Sequence, residues 1–159
     1  MAITKKNTVP LPVKVQYCFI NEILSFRRYF DVYADPRMKE GKAFKDFYAA
    51  PGSIEFTEKS GTRAAGIFYQ AQVKLYFPGV DDITEARLLQ LNKGKVILKL
   101  FFSNGDIRIV GHPEAPVRLS TETLQNNTKA GITISGDVQS PEKTRFLVPT
   151  ESILPPPEL

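Results

Sequence analysis

Apolar and polar residues alternate along much of this 159-residue chain, which is the pattern of β-strands that have one buried face. The longest alternating stretches are residues 13–19, 66–77 and 96–102. Shorter candidate strands, each bounded by Gly, Pro, Asn or Asp, are 54–57, 107–109, 117–119, 131–136 and 144–148. The pattern therefore predicts a β-rich protein.

A hairpin is predicted around Asn104-Gly105. This pair supplies the two positive-φ residues that a type I′ turn requires, and the alternating stretches on either side would pair across it. In the first of these strands, Ile97, Lys99 and Phe101 share one face. Because that face carries a lysine, we expect it to be only partly buried in a single chain, with Phe101 available to a helix or a partner.

One helix is predicted, over residues 82–93. Asp82 and Glu85 have the spacing of a capping box, and Gly94 can take the left-handed conformation that closes a helix. A helix of this length is unstable alone, so it must pack on the sheet through an apolar face. We expect that face to contain Ile83, Leu88 and Leu91.

The fold class that these elements predict is α+β, with a mostly antiparallel sheet and one helix. The alternative is an all-β sandwich or barrel in which the helix is a minor addition. We expect residues 1–12 to form a flexible arm, residues 13–149 a single domain, and residues 150–159 a Pro-rich tail. Residues 21–52 stay ambiguous, because they fit short helices and also strands that cross the sheet.

Composition and charge indicate where the protein resides and which partners it could bind. No apolar run approaches the roughly 20 residues of a membrane span, and no secretory signal follows the N-terminal lysines. The first 63 residues hold 11 Lys and Arg against 7 Asp and Glu, whereas the rest of the chain holds 10 of each. The basic excess defines a candidate nucleic-acid-binding patch made of Arg27, Arg28, Arg37, Lys39, Lys42 and Lys45.

The sequence contains few residues that could form a catalytic site. Cys18 and His112 are the only cysteine and the only histidine, and a cysteine in a strand is usually a small buried hydrophobe. Asp81 and Asp82 are explained by a helix start. Neither a phosphate-binding loop nor a zinc-type cluster is present. We therefore expect no catalytic, cofactor-binding or metal-binding residues, no cofactor, and no enzymatic activity.

The predicted strand 66–77 has a second, polar face with two aromatic residues, Phe68 and Tyr76. Aromatic and basic side chains on one sheet face are typical of proteins that bind single-stranded nucleic acid. Exposed aromatic residues on a sheet also bury against neighbouring subunits. We take Phe68, Tyr76 and Phe101 as a candidate assembly surface.

The order of Gly105–Gly111, Pro116–Leu119 and Gly131–Gly136 resembles that in small proteins of prophage-like clusters in Bacteroidetes. Those proteins look like head–tail or tail-completion components of virions, and the resemblance covers about residues 95–147. It implies a non-enzymatic structural subunit of a phage or phage-like particle, of the tail-terminator or head–tail completion type.

Such a subunit would assemble into a homo-oligomeric ring with other particle proteins, in the host cytoplasm or the virion and away from membranes. The alternative function is a nucleic-acid-binding accessory protein that uses the basic first third of the chain.

Overall fold

The computed structural model describes residues 9–26, 28–29, 32–34, 36–79, 88, 90–128, 130–141 and 143–148. The strands of the described residues are β1 Pro12–Phe19, β2 Ile23–Ser25, β3 Arg28–Tyr29, β4 Val32–Ala34, β5 Arg37–Met38, β6 Lys45–Phe47, β7 Glu55–Arg63, β8 Gly66–Pro78, β9 Val96–Phe102, β10 Ile107–Val110, β11 Arg118–Gln125, β12 Ala130–Ser140 and β13 Arg145–Val148. A 3-10 helix, Ile20–Glu22, follows β1. Residues 88 and 90–93 are α-helical and are called α1.

The strands form two large sheets and one small one. Seven strands lie in the order β3-β4-β13-β10-β9-β1-β6, and four lie in the order β11-β12-β8-β7. Neighbouring strands are antiparallel, except that β13 runs parallel to β4. A two-stranded sheet pairs β2 with β5. The long strands β7 and β8 form a hairpin, as do β11 and β12.

The main core lies between the seven-stranded and the four-stranded sheets. Alternate residues of β9 enter it from one side, and alternate residues of β8 and β12 enter it from the other. Leu88 and Leu91 of α1 also belong to this core, which confirms that the helix packs through them. The fully buried aliphatic side chains that carry the packing are Val15, Val73, Val96, Leu98, Leu100, Val110, Val117, Ile132 and Ile134.

The predicted α+β class is confirmed, because the described part of the chain is mostly antiparallel sheet with one short α-helix and no closed barrel. The C-terminal part of the predicted helix is present as α1, whereas residues 82–87 and 89 lie outside the described residues. The same is true of residues 1–8 of the predicted N-terminal arm and of the whole predicted tail, residues 150–159. The ambiguous segment 21–52 contains the 3-10 turn and short strands in its described part, and no α-helix there.

The second face of β9 corrects one expectation. Ile97 is fully buried and Lys99 is only 8% exposed, whereas Phe101 remains partly exposed. The face is closed because described residues on either side of β3 and β4 lie over it: Ile23, Phe26 and Phe44 pack against the buried side chains of Cys18, Ile97 and Ile109. The Lys99 ammonium lies 4.3 Å from the centre of the Phe44 ring, and this cation–π contact lets a lysine occupy a covered position.

The Asn104-Gly105 turn also differs from the expectation. The Gly105 N–H donates to the Phe102 carbonyl at 3.0 Å, and the Phe102 N–H donates to the Asp106 carbonyl at 2.9 Å. The loop therefore has three residues, 103–105, and the central turn positions are Ser103 and Asn104. Gly105, with φ of +90°, is the left-handed residue that follows the turn in three-residue hairpins. Asn104 instead caps the loop, since its Oδ1 accepts the Asp106 N–H at 3.1 Å.

Replacing Gly105 with valine should lower the free energy of unfolding by about 1–2 kcal/mol, because a β-branched residue is strained at positive φ. A Cβ at this position would meet no atom within 4 Å, so the cost arises from the backbone alone. Gly105→Asn is the matched control and should cost less, since asparagine tolerates left-handed backbone. Denaturant unfolding of the two variants measures the difference, and equal costs would contradict the assignment.

Candidate assembly surface

The outer face of the four-stranded sheet points away from the main core and is largely polar. Its two large aromatic residues are Phe68 and Tyr76 of β8, and both are half-buried. Each ring covers a glycine on a neighbouring strand: Phe68 lies over Gly61 of β7, and Tyr76 lies over Gly131 of β12, where an added Cβ would collide with the ring. The rings therefore fill gaps in their own sheet as well as facing outwards.

Local contacts fix both rings. The Arg63 guanidinium lies 4.2 Å from the centre of the Phe68 ring, and the Tyr76 hydroxyl donates to the Ala130 carbonyl at 3.1 Å. Eight residues separate the two positions, which is about 26 Å along an extended strand. Phe68 and Tyr76 thus mark opposite ends of one sheet face rather than one patch.

Phe101, the third residue of the candidate surface, lies in the other sheet. It is partly exposed on the outer side of β9, and the Lys14 ammonium of β1 is 5.3 Å from its ring centre. The structure therefore brings Phe68 and Tyr76 onto the same face and leaves Phe101 on a different one.

The four-stranded sheet extends beyond the core at the β7–β8 turn. The buried residues of β8 are confined to Ala71, Val73 and Leu75, although the strand begins at residue 66. At the turn, residues 62–67 are all exposed, and Ile67 is 60% exposed. The opposite end stays over the core, because Ile132 is buried and Phe77 packs against it. Leu124 of the edge strand β11 is 45% exposed there, so each end of the sheet offers an apolar side chain to solvent.

The edge strand β11 was missed by the sequence analysis, which expected a strand of three residues there. The strand has eight residues, and all six from Ser120 to Gln125 are exposed. No buried residue interrupts this stretch, so apolar–polar alternation could not reveal it. The available signal was the β-branched pair Thr121 and Thr123, which favours strands, followed by the turn-forming Asn126-Asn127.

The basic patch is only partly visible. Arg37, Lys39, Lys42 and Lys45 are all exposed, on the segment that leads from β5 to β6. Arg27 and the side chain of Arg28 lie outside the described residues. Among the described residues, none of these four exposed basic side chains forms an ion pair.

Cys18, Glu22 and Lys99 form a buried cluster on the face of β9 that points away from the main core. Glu22 is 6% exposed, and its Oε1 accepts the Phe19 N–H at 3.1 Å. Burial, and then the nearby Glu22 carboxylate, raise the pKa of the Cys18 thiol to about 12. The thiol is therefore protonated at neutral pH, whereas a nucleophilic cysteine must be a thiolate.

A second polar cluster lies between the two large sheets. The Thr144 N–H and hydroxyl donate to Glu58 Oε2 at 2.9 and 2.7 Å, and Arg108 Nη1 lies 3.7 Å from Glu58 Oε1. The Arg108 guanidinium also stacks on Phe56, 5.1 Å from the ring centre. Glu58 belongs to β7 of one sheet and Arg108 to β10 of the other, so this largely buried cluster joins the two sheets.

The same cluster borders a small cavity. Its lining includes Glu58, His112, Lys143 and Thr144, which are residue types that could support catalysis, but its volume is about 20 Å³. That space holds about one water molecule, whereas ligand pockets are typically about 300–1,000 Å³. A larger depression of about 600 Å³ is lined by residues that include Lys95, Glu114, Arg118 and Asp137.

Comparison of the chain with family models, curated proteins and solved structures finds no match. Among the described residues, no helix is long and apolar enough to cross a membrane. The four-stranded sheet, with its projecting β7–β8 turn and its exposed edge strand β11, keeps apolar side chains in solvent at Ile67 and Leu124.

Glu58→Ala should lower the free energy of unfolding by about 2–4 kcal/mol, because it leaves the Arg108 guanidinium between the sheets without its carboxylate. The Glu58 and Arg108 side chains are only 9% and 17% exposed. Lys14→Ala is the matched control, since it breaks the Lys14–Asp46 pair, whose side chains are 50% and 71% exposed. That change should cost less than about 1 kcal/mol. Denaturant unfolding compares the two, and similar costs would show that the Glu58 cluster does not join the sheets.

Proposed function

We propose that the protein is a non-enzymatic structural subunit of a phage or phage-like particle, of the tail-terminator or head–tail completion type, and that it acts through protein–protein assembly. The observation that supports the proposal most is the overhang of the four-stranded sheet. Strands that continue beyond their own core keep backbone and apolar groups in solvent, which favours contact with a neighbouring subunit. The resemblance over residues 95–147 supports the same class.

The two ends of the four-stranded sheet suit a subunit with neighbours on two sides. The turn at Ala64-Ala65 and the loop after β11 lie at opposite ends of the sheet, because β8 and β12 are antiparallel and pair along ten positions. A subunit with exposed apolar side chains at both ends can contact two copies or two different particle proteins. The buried Cys18 thiol does not support a nucleophilic mechanism.

Association in solution tests the proposal. We expect the mass measured by light scattering to rise with concentration from the micromolar to the millimolar range, and negative-stain micrographs to show regular particles. Ile67→Asp should weaken this association, because it places a charge at the projecting turn. Leu24→Asp is the matched control, since Leu24 is also 60% exposed but lies in the small β2–β5 sheet. A monomer at every concentration would contradict the proposal.

The second candidate function is nucleic-acid binding, and it draws support from the exposed row Arg37, Lys39, Lys42 and Lys45. Lysines that neutralise phosphates release counterions, so affinity for single-stranded DNA or RNA should fall steeply with salt. Fluorescence anisotropy at low and physiological salt would measure it. Lys39→Glu/Lys42→Glu should abolish such binding, whereas Lys59→Glu on β7 should not. Absence of binding at low salt would remove this candidate.

A further inference from the structure

Strand β11 is a long sheet edge without a partner in the described part of the chain. It pairs with β12 on one side. On the other side, Val117, directly before the strand, pairs with Val96 of β9, and Asn92 Nδ2 of α1 donates to Thr121 Oγ1 at 3.1 Å. No described strand pairs with residues 118–125 on that side. From Ser120 to Gln125 every side chain is exposed. An edge of this kind presents unpaired N–H and C=O groups that can add another strand.

Two other edges, β7 and β6, carry features that protect a sheet from pairing. β7, at the opposite edge of the same sheet, has Lys59 on its outer face and the charged Glu58 pointing inwards, and β6 has three residues, two of them charged. Short strands, lysines and inward-pointing charges are the usual means of blocking edge-to-edge contact. β11, with the sequence RLSTETLQ, has no lysine, proline or glycine.

The charges of β11 are complementary to those of a second β11. Arg118, Ser120 and Glu122 alternate along the outer face, with Ser120 midway between the two charges. If two copies pair antiparallel with Ser120 opposite Ser120, each Arg118 lies directly opposite Glu122 of the other copy. Opposite charges at facing positions stabilise strand pairs, and like charges destabilise them.

The charges also select that register. Moving the centre of the pairing to position 118 brings Arg118 opposite Arg118, and moving it to position 122 brings Glu122 opposite Glu122. Centring on 119 or 121 leaves neither charge opposite the other, although outer faces still align. Only the register centred on Ser120 forms both ion pairs.

Within one chain, Arg118 already faces an acidic residue. Arg118 lies opposite Asp137 of β12, so in the paired state its guanidinium would stand between Asp137 of its own chain and Glu122 of the second copy. A cation between two carboxylates is favoured in each contact.

We propose that β11 pairs antiparallel with β11 of a second copy about a two-fold axis at Ser120, which joins two four-stranded sheets into one sheet of eight strands. This inference rests on the proposed assembly function and names the surface and the partner that serve it. The contact is isologous, so it closes on itself as a dimer and leaves the β7–β8 turn of each copy free for other contacts.

Ser120→Cys tests the position of the axis. Facing residues of antiparallel strands have Cα atoms about 4.5–5.5 Å apart, within the range that a disulfide spans. Mild oxidation should therefore give a covalent dimer that a reducing agent separates. Thr57→Cys, exposed on the outer face of β7, is the matched control and should stay monomeric on a non-reducing gel. The buried Cys18 thiol is present in both variants and cancels between them.

Charge reversal tests the pairing itself. Glu122→Arg and Arg118→Glu should each weaken dimerisation by more than about tenfold, because facing positions then carry like charges. An equimolar mixture of the two variants should restore a dimer, since each chain supplies the charges that the other needs. Thermal unfolding of each variant checks the fold, because the carboxylate introduced at position 118 would face Asp137.

The outcomes separate this inference from the proposed function. Cross-linking at position 120 and recovery of the dimer on mixing would support the β11 pairing. Association that persists unchanged in both charge variants, with no cross-linking of Ser120→Cys, would overturn the pairing and leave the assembly function standing on another surface. A monomer at all concentrations would overturn both.

Discussion

The fold depends on the burial of β9 on both of its faces. Val96, Leu98 and Leu100 face one core, and Ile97 and Lys99 face another. A strand with two buried faces needs a layer on each side, because apolar area left in water costs about 25 cal/mol per Å². The four-stranded sheet supplies one layer, and the side chains of Ile20, Ile23, Phe26, Met38 and Phe44 supply the other. Both the projecting sheet and this second layer follow from this requirement.

Sequence reasoning was accurate where packing and sequence pattern agree. Strands β1 and β8 bury every second residue over the core, so their alternation identified them, and the C-terminal part of the helix followed from Leu88, Leu91 and Gly94. It failed where a long-range contact decides burial. Lys99 reads as a surface residue, and its covered position depends on long-range contacts such as that with the Phe44 ring, 55 positions earlier in the chain.

The candidate surface was harder to predict than the fold. The outer orientation of Phe68 and Tyr76 followed from the period of two residues, but their seating over Gly61 and Gly131 depends on which strands are neighbours. Phe101 could not be assigned to a sheet without that knowledge. Edge strand β11 was the hardest element to predict. Its six exposed residues, Ser120 to Gln125, are held in the strand by hydrogen bonds to β12 rather than by burial. They therefore carry no apolar pattern.

The division of the interior into two clusters has a consequence for how the protein opens. Among the described residues, no buried side chain belongs to both clusters, so the described segments that carry Ile23, Phe26 and Phe44 can lift from β9 while the core between the sheets stays packed. Local opening of this kind costs less free energy than global unfolding and exposes only the residues beneath these segments. Cys18 is the only thiol of the chain and lies beneath them. Alkylation of Cys18 that is faster than amide exchange in the core between the sheets would therefore show that this layer opens on its own.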